Sequence, residues 1–456
     1  MLRRRVPLPR LWARFRRYVL WFTAGGRWSD RLRPPVRRNL RWFWFDGLFS
    51  SASDAVVLSY LSLFVLALGG TRAQIGLMSS LSSLGAALLL FPGAALVERW
   101  GRRKHMVLLG GGGVARAALL LLGLVPLVFA GPAVVYVVIG LAVVRDACAN
   151  FSMPAWMAIT ADVVPLSWRG RYFSSRNVAM GVANILATYL FGQLITGVGG
   201  PAGYQLAMGL AAIIGLAATF SFARIDESPA SMSLQGDDQC SETPSLSLSN
   251  LFRSLRHHPE FLALCATAAL WNFSLALAGP FFNVYLVESL HASAGAVGTL
   301  SVVSSLAALP GQRLFGPLVD RWGPRRIQLI SGFLIPLVPW AWLLVRSPWH
   351  VVPINLVAGF VWAGYGLASF SFLLALIPER RRPRYSALYQ VIVLVALAGG
   401  AVLGGGIAER WGYQAVFGLS GLGRLSAALL FARFARPPVA SASSASSEGG
   451  ETAPEE

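Results

Sequence analysis

The chain has 456 residues, 55% of them hydrophobic and 13% charged, with a mean hydropathy of +0.58. Ordinary soluble domains carry roughly 25% charged residues, so this composition excludes a water-soluble core and points to a membrane protein. The formal charge of +19 does not indicate nucleic acid: the arginines sit in short clusters between apolar runs, with no aromatic RNA-binding signature or zinc-ligand spacing beside them.

The first 41 residues hold 13 of the 39 basic residues and a single acid, Asp30. Residues 1–41 are predicted to form a basic cytoplasmic arm. Its segment 11–22 is interrupted by arginine and cannot span, which predicts an interfacial helix on an anionic inner leaflet rather than a secretory signal. Spanning a hydrocarbon core takes about 20 apolar residues as helix. Six runs satisfy this in 42–224: 42–68, 74–96, 105–130, 133–158, 173–197 and 203–224. A polar interval, 225–258, reads as a cytoplasmic linker. Six more runs follow in 259–436: 261–286, 295–318, 327–346, 349–377, 386–408 and 413–434. The Pro/Ala/Ser/Gly/Glu-rich segment 437–456 is acidic and is predicted to be disordered. The expected fold is an all-α integral membrane protein, with twelve transmembrane helices in two pseudo-symmetric six-helix bundles.

Arginine asymmetry predicts orientation. With both termini cytoplasmic, the inner loops carry Arg99, Arg102, Arg103 and Lys104, then Arg169 and Arg171, Arg253 and Arg256, Arg321, Arg325 and Arg326, and Arg380, Arg381, Arg382 and Arg384. The outer loops offer little beyond Arg72, Arg346 and Arg410.

The two halves echo one another. Glu98-Arg99-Trp100-Gly101-Arg102-Arg103-Lys104 returns 222 positions later as Asp320-Arg321-Trp322-Gly323-Pro324-Arg325-Arg326, each copy between the second and third runs of its half. Gly76 and Gly298 keep the same offset. A second echo, Pro165…Arg169-Gly170-Arg171-Tyr172 against Pro378…Arg382-Pro383-Arg384-Tyr385, has offset 213 and follows the fourth run of each half. Parallel six-helix repeats are a transporter plan.

On these residues the chain resembles the major facilitator superfamily, whose signature between helices 2 and 3 is Gly-x-x-x-Asp-Arg-x-Gly-Arg-Arg/Lys. The second copy fits from Gly316 to Gly323, with Pro324 in place of the first basic residue. The first copy has Ala94 where the leading glycine is expected and Glu98 for Asp. A third lookalike, Gly405…Glu409-Arg410-Trp411-Gly412, falls at an outer turn without the basic tail and is set aside as a functional copy. The resemblance implies a conformational latch on the inner face. Glu98 and Asp320 would pair with arginines or helix N-termini when the outside is open, joined by the basic residues of both turns and by Asp162 and Arg169.

Ionisable groups inside apolar runs are functional candidates by default, because burying them unpaired is costly. Asp54 falls mid-way along the first run, and Arg145-Asp146 mid-way along the fourth. In the resembled fold helices 1, 4, 7 and 10 line the central cavity, and Arg145 stands where many proton-coupled exporters carry an arginine, although Ala149 replaces the glycine expected four residues on. Asn272, Asn283, Trp362, Tyr365 and Gln390 are the polar and aromatic candidates of the second half. Asp46 is expected at the interface, and Arg116 and Arg424 to pack or snorkel on peripheral helices.

The leading expectation is a secondary transporter moving a small organic solute by alternating access. A proton or ion gradient would drive it, with no cofactor, and export is slightly favoured on the helix-4 arginine. Uptake of a sugar or other metabolite is the alternative, followed by a transporter-shaped sensor that moves nothing. No Gly-x-x-x-x-Gly-Lys-Ser/Thr loop occurs. Neither the three cysteines (Cys148, Cys240, Cys265) nor the five histidines form a metal or catalytic constellation. The expected setting is a monomer in the cell inner membrane, with the bilayer and a small molecule as partners and no nucleic acid.

Overall fold

The computed structural model describes residues 23–226 (except 25, 101, 130, 166 and 167), 259–376 and 382–434. The expected interfacial helix, most of the linker and the acidic tail lie outside these.

The first half comprises α1 (Pro34–Ala67), α2 (Arg72–Trp100), α3 (Arg103–Val128), α4 (Ala133–Val163), α5 (Arg169–Val198) and α6 (Gly200–Ala223). The second comprises α7 (Pro259–Ala278, continued after a break by Phe281–Glu288), α8 (Ala294–Trp322), α9 (Pro324–Leu334, then Leu337–Trp342), α10 (Val351–Leu376), α11 (382–411) and α12 (413–434). The breaks in α7 and α9 fall at Pro280 and Pro336, each of which removes an amide donor from the helical ladder. Between α11 and α12 the chain turns at Gly412, whose φ of 79° only glycine adopts without strain. Helix α1 starts eight residues before the apolar run at 42, so the end of the expected basic arm is helix. Arg38 and Asn39 there tie α1 to Asp226 at the end of α6. Within α3, four successive glycines (Gly110–Gly113) sit in a π-helical stretch, Val107–Val114.

In each bundle a buried serine ties the first helix to the last, with donor and acceptor exchanged between the halves. Ser53 on α1 donates to the Ala211 carbonyl of α6 at 2.7 Å, and Ser420 on α12 donates to the Ser274 carbonyl of α7 at 2.6 Å. Outward-facing Leu88, Leu109, Leu127, Leu190, Leu344 and Phe370 are largely exposed, an apolar surface that a bilayer covers.

The halves meet chiefly through two symmetric helix pairs, α2 with α11 and α5 with α8, and also where the end of α7 touches α1. Close approaches of these pairs, Gly76 with Gly405 and Gly192 with Gly295, lie at the arginine-poor end, where α1 terminates. The one core cluster that spans both halves (Tyr60, Phe64 and Phe191 with Phe281, Val297 and Phe417 among its members) lies towards that end. Towards the arginine-rich end the clusters are confined to one half, as with Phe43, Ile159 and Tyr172 in the first and Leu264, Phe372 and Phe431 in the second. Among the described residues, therefore, the core is packed shut at the arginine-poor end and unjoined at the other.

Candidate functional site

Asp54 on α1 is bridged by two arginines. Arg145 Nη2 of α4 lies 2.6 Å and Arg116 Nη1 of α3 lies 3.0 Å from the same oxygen, Oδ1. Arg145 Nη1 also reaches Asp146 Oδ1 at 2.6 Å. Arg116 further donates to Ser53 at 3.1 Å and Ser50 at 3.3 Å. At 1.5 Å per residue all three helices carry these groups about 20 Å in from their ends, near the middle of a ~30 Å hydrocarbon core.

Two arginines and two aspartates sum to zero charge, which makes the cluster tolerable at that depth. Its exposure is uneven: the Arg116 and Arg145 side chains are 11% and 13% exposed, while Asp54 is 51% exposed. The cationic partners are fixed by packing and the carboxylate is reachable. Arg116 belongs to this cluster rather than snorkelling to the interface. Gly215 on α6 makes room for it, because a Cβ there would lie 2.6 Å from Arg116 Cδ.

The second-half candidates are not drawn to that cluster. Trp362 and Tyr365 pack with Trp271 inside the second bundle. The Trp271 and Tyr365 rings stack at 4.5 Å, and Trp362 meets both edge-on. Asn272 donates back to Ala268 of its own helix at 2.8 Å. Gln390 is exposed on α11. Asn283 joins the halves, its Nδ2 3.3 Å from the Ser59 carbonyl.

At the arginine-rich end, Arg103 pairs with Asp162 across α3 and α4 at 3.0 Å. Arg169 instead covers the last carbonyls of α4, donating to Ala161 at 2.9 Å. Arg325 donates to the Ala432 carbonyl of α12 at 2.7 Å. Arg99, Arg102, Asp320, Arg321 and Arg326 are exposed, and Asp320 has no ion pair among the described residues. Gly323 closes α8 at φ 79°. Gly101 and the Glu98 side chain lie outside the described residues. Each described bond of these turns stays within its own half.

One expectation about buried charge needs correcting, and another resolves to one of its two alternatives. Asp46 is not interfacial: it is 7% exposed and takes Arg176 Nη2 of α5 at 3.4 Å. The Arg176 guanidinium also donates to the Phe43 carbonyl and lies 4.3 Å above the Phe43 ring. Arg424 packs rather than snorkels. It is 1% exposed inside the second bundle, and its Nε and Nη2 have no hydrogen-bond partner among the described residues.

Sequence reasoning missed a polar cluster that joins the two halves at the arginine-poor end. Arg72, starting α2, reaches Glu288 of α7 at 2.6 Å and the Ala408 carbonyl of α11 at 3.0 Å, and its guanidinium lies 4.4 Å over the Tyr413 ring. Tyr413 in turn donates to Glu288. The available signals were an acid closing the seventh run and the third Glu-Arg-Trp-Gly.

Comparison with known proteins agrees with this architecture. The chain is 24% identical over 394 residues to the multi-drug resistance efflux pump PmrA of Streptococcus pneumoniae serotype 4, covering 83% of this chain and 91% of that one. It is 25% identical over 399 residues to the multidrug resistance protein MdtG of Serratia proteamaculans, with 85% and 91% covered. Among solved structures, a mutant of the nucleoside transporter NupG superposes with a TM-score of 0.70 at 12% identity, over 87% of this chain and all of that one. A D-xylose–proton symporter superposes with a TM-score of 0.65 at 15% identity, over 87% and 97%. The sequence model of the Major Facilitator Superfamily matches residues 43–282 and again 262–455, one match per half. This chain belongs to the Major Facilitator Superfamily.

Proposed function

We propose that the protein is a proton-coupled exporter of small amphipathic organic compounds, working by alternating access, with Asp54 as the group that exchanges its proton. The observation that carries this reading is the half-exposed Asp54 carboxylate clamped by two buried arginines at membrane mid-depth. Exposing that charge to lipid would cost several kcal/mol, so its open side belongs to a hydrated gap between the halves. Protonating Asp54 releases Arg116 and Arg145 from a shared oxygen, which changes the connection between α1, α3 and α4. A proton taken up from one side and released to the other would thereby be tied to a rearrangement of the first bundle. Asp146 then becomes the remaining anionic partner of Arg145. The lean towards export draws on the resemblance to PmrA and MdtG; the resemblance to a D-xylose–proton symporter is why uptake is kept as the second reading.

In the proposed topology the arginine-rich end faces the cytoplasm, with both termini inside and the protein a monomer in the cell inner membrane. The unjoined end is then the inner one, and the structure is inward-facing. Glu98 and Asp320 with their arginines would form the inner latch in the opposite state, which accounts for an exposed Asp320 here. The test is ethidium movement into proteoliposomes under an imposed pH gradient. Gradient-dependent accumulation supports the reading. No gradient-dependent movement of ethidium or any compound of a drug and metabolite library, with a tightly co-purifying partner, would favour the non-transporting alternative.

A further inference from the structure

The third Gly-x-x-x-acid-Arg-Trp-Gly stretch, set aside on sequence because it falls at the arginine-poor end, repeats the second copy in structure as well as in letters. Both run to the end of a helix and turn at a glycine of the same backbone conformation: Gly323 at φ 79°, ψ 152° and Gly412 at φ 79°, ψ 178°. Two further shared letters, the leading glycine and the acid, make contacts across the halves in the third copy. The leading glycine, Gly405, lies against Gly76 of α2. A Cβ on Gly405 would stand 3.0 Å from the Gly76 Cα and 3.1 Å from the Arg72 carbonyl, and one on Gly76 would stand 2.5 Å from the Ala401 carbonyl. Absent side chains thus let α2 and α11, from opposite halves, touch backbone to backbone.

The acid then does electrostatic work. Glu409 Oε2 accepts from the backbone amides of Arg72 at 3.1 Å and Ala73 at 3.4 Å, the first two residues of α2. Those amides have no partner inside their own helix, and a carboxylate at a helix N-terminus is favoured by the aligned peptide dipoles as well. Glu409 belongs to one half and α2 to the other. Arg72 adds the grip on Glu288, the Ala408 carbonyl and the Tyr413 ring.

We infer that Gly405-x-x-x-Glu409 is a latch for the arginine-poor face, a mirror of the arginine-rich turns, and that it holds this face shut by capping α2 across the two halves. The inference rests on the alternating-access reading. In that cycle Glu409 grips α2 while the arginine-rich end is open, and lets go when Asp320 and Glu98 take up their partners. Arg410 and Trp411, both exposed, take no part in the grip.

The experiment places spin labels at Ala202→Cys on α6 and His350→Cys before α10, both exposed at the arginine-poor end. Cys148, Cys240 and Cys265 are changed to Ser, and distances are measured in lipid nanodiscs without substrate. The parent is expected to show one dominant short distance. Glu409→Gln, which keeps the size and removes the charge, is expected to raise the ratio of long to short distances about tenfold, the order expected for losing charge-assisted bonds to two amides. Gly405→Ala reads the same latch by wedging α2 from α11 and guards against a Glu409 variant that fails to fold. Arg410→Gln is expected to leave the distribution as in the parent. An unchanged distribution in both Glu409→Gln and Gly405→Ala, or a shift to shorter distances, would overturn the latch. Gradient-driven ethidium transport measured on the same parent protein separates the two ideas: transport by the parent, with distributions unchanged in both variants, sinks the latch alone.

Discussion

Replacing Asp54 by Asn keeps the shape of the side chain and one acceptor for the arginines but deletes the charge that both of them share. Two unit charges about 4 Å apart attract by about 4 kcal/mol at an effective dielectric near 20. Asp54 is 51% exposed, so water offsets much of each pair, while the arginines at 11% and 13% exposure lose more than the carboxylate did. Breaking a fully buried pair costs about 3–5 kcal/mol. Half-exposure and the retained amide acceptor bring the expected loss to about 2–4 kcal/mol, borne by a bundle left with two under-compensated guanidinium groups. Functionally, the neutral Asn carries no exchangeable proton and fixes the cluster in its released form. In proteoliposomes, Asp54→Asn should lower pH-gradient-driven ethidium accumulation at least tenfold while ethidium exchange at equal pH continues. Accumulation at the parent rate would refute the assignment of coupling to Asp54.

Arg116→Gln is expected to mimic part of this defect, whereas a snorkelling arginine would be replaceable without effect; the same accumulation assay decides. Arg176→Leu leaves Asp46 buried without its cation and should cost about 3–5 kcal/mol, seen as a lower thermal transition in detergent. Arg424→Met is expected to raise that transition, because it replaces a buried guanidinium lacking partners on two nitrogens by an apolar side chain; a fall would show that Arg424 is compensated in the membrane. Gly359→Ala drives a methyl into the Ser304 carbonyl of α8 and should destabilise by about 1–3 kcal/mol, also by thermal unfolding.

The helices and their division into halves were legible because a bilayer demands about 20 apolar residues per span and the duplicated turns mark equivalent places. Asp54, Arg145 and Asp146 stood out because a charge inside an apolar run is rare. Their geometry was not legible. Adjacent residues point about 100° apart along a helix, yet the long Arg145 side chain reaches both its neighbour Asp146 and Asp54 on α1. Arg116 was misread because α3 was taken as peripheral, while Gly215 on α6 opens the space through which it turns inward. Trp362 and Tyr365 were candidates by residue type alone; their stacking with Trp271 of another helix is set by packing that the sequence does not spell out. The latch at the arginine-poor end escaped for a different reason. Its partners, Arg72, Glu288 and Glu409, are brought together by the docking of two halves, and nothing local in the sequence encodes that docking.

Alternating access itself is tested most directly by two distances followed in one experiment. One pair, Ala202→Cys with His350→Cys, spans the halves at the arginine-poor end; the other, His105→Cys with Arg433→Cys, spans them at the arginine-rich end. When a pH gradient and ethidium are applied to the reconstituted protein, the first distance is expected to lengthen as the second shortens. Distances that both stay fixed, or that lengthen together, would contradict a carrier whose two bundles rock about a central site.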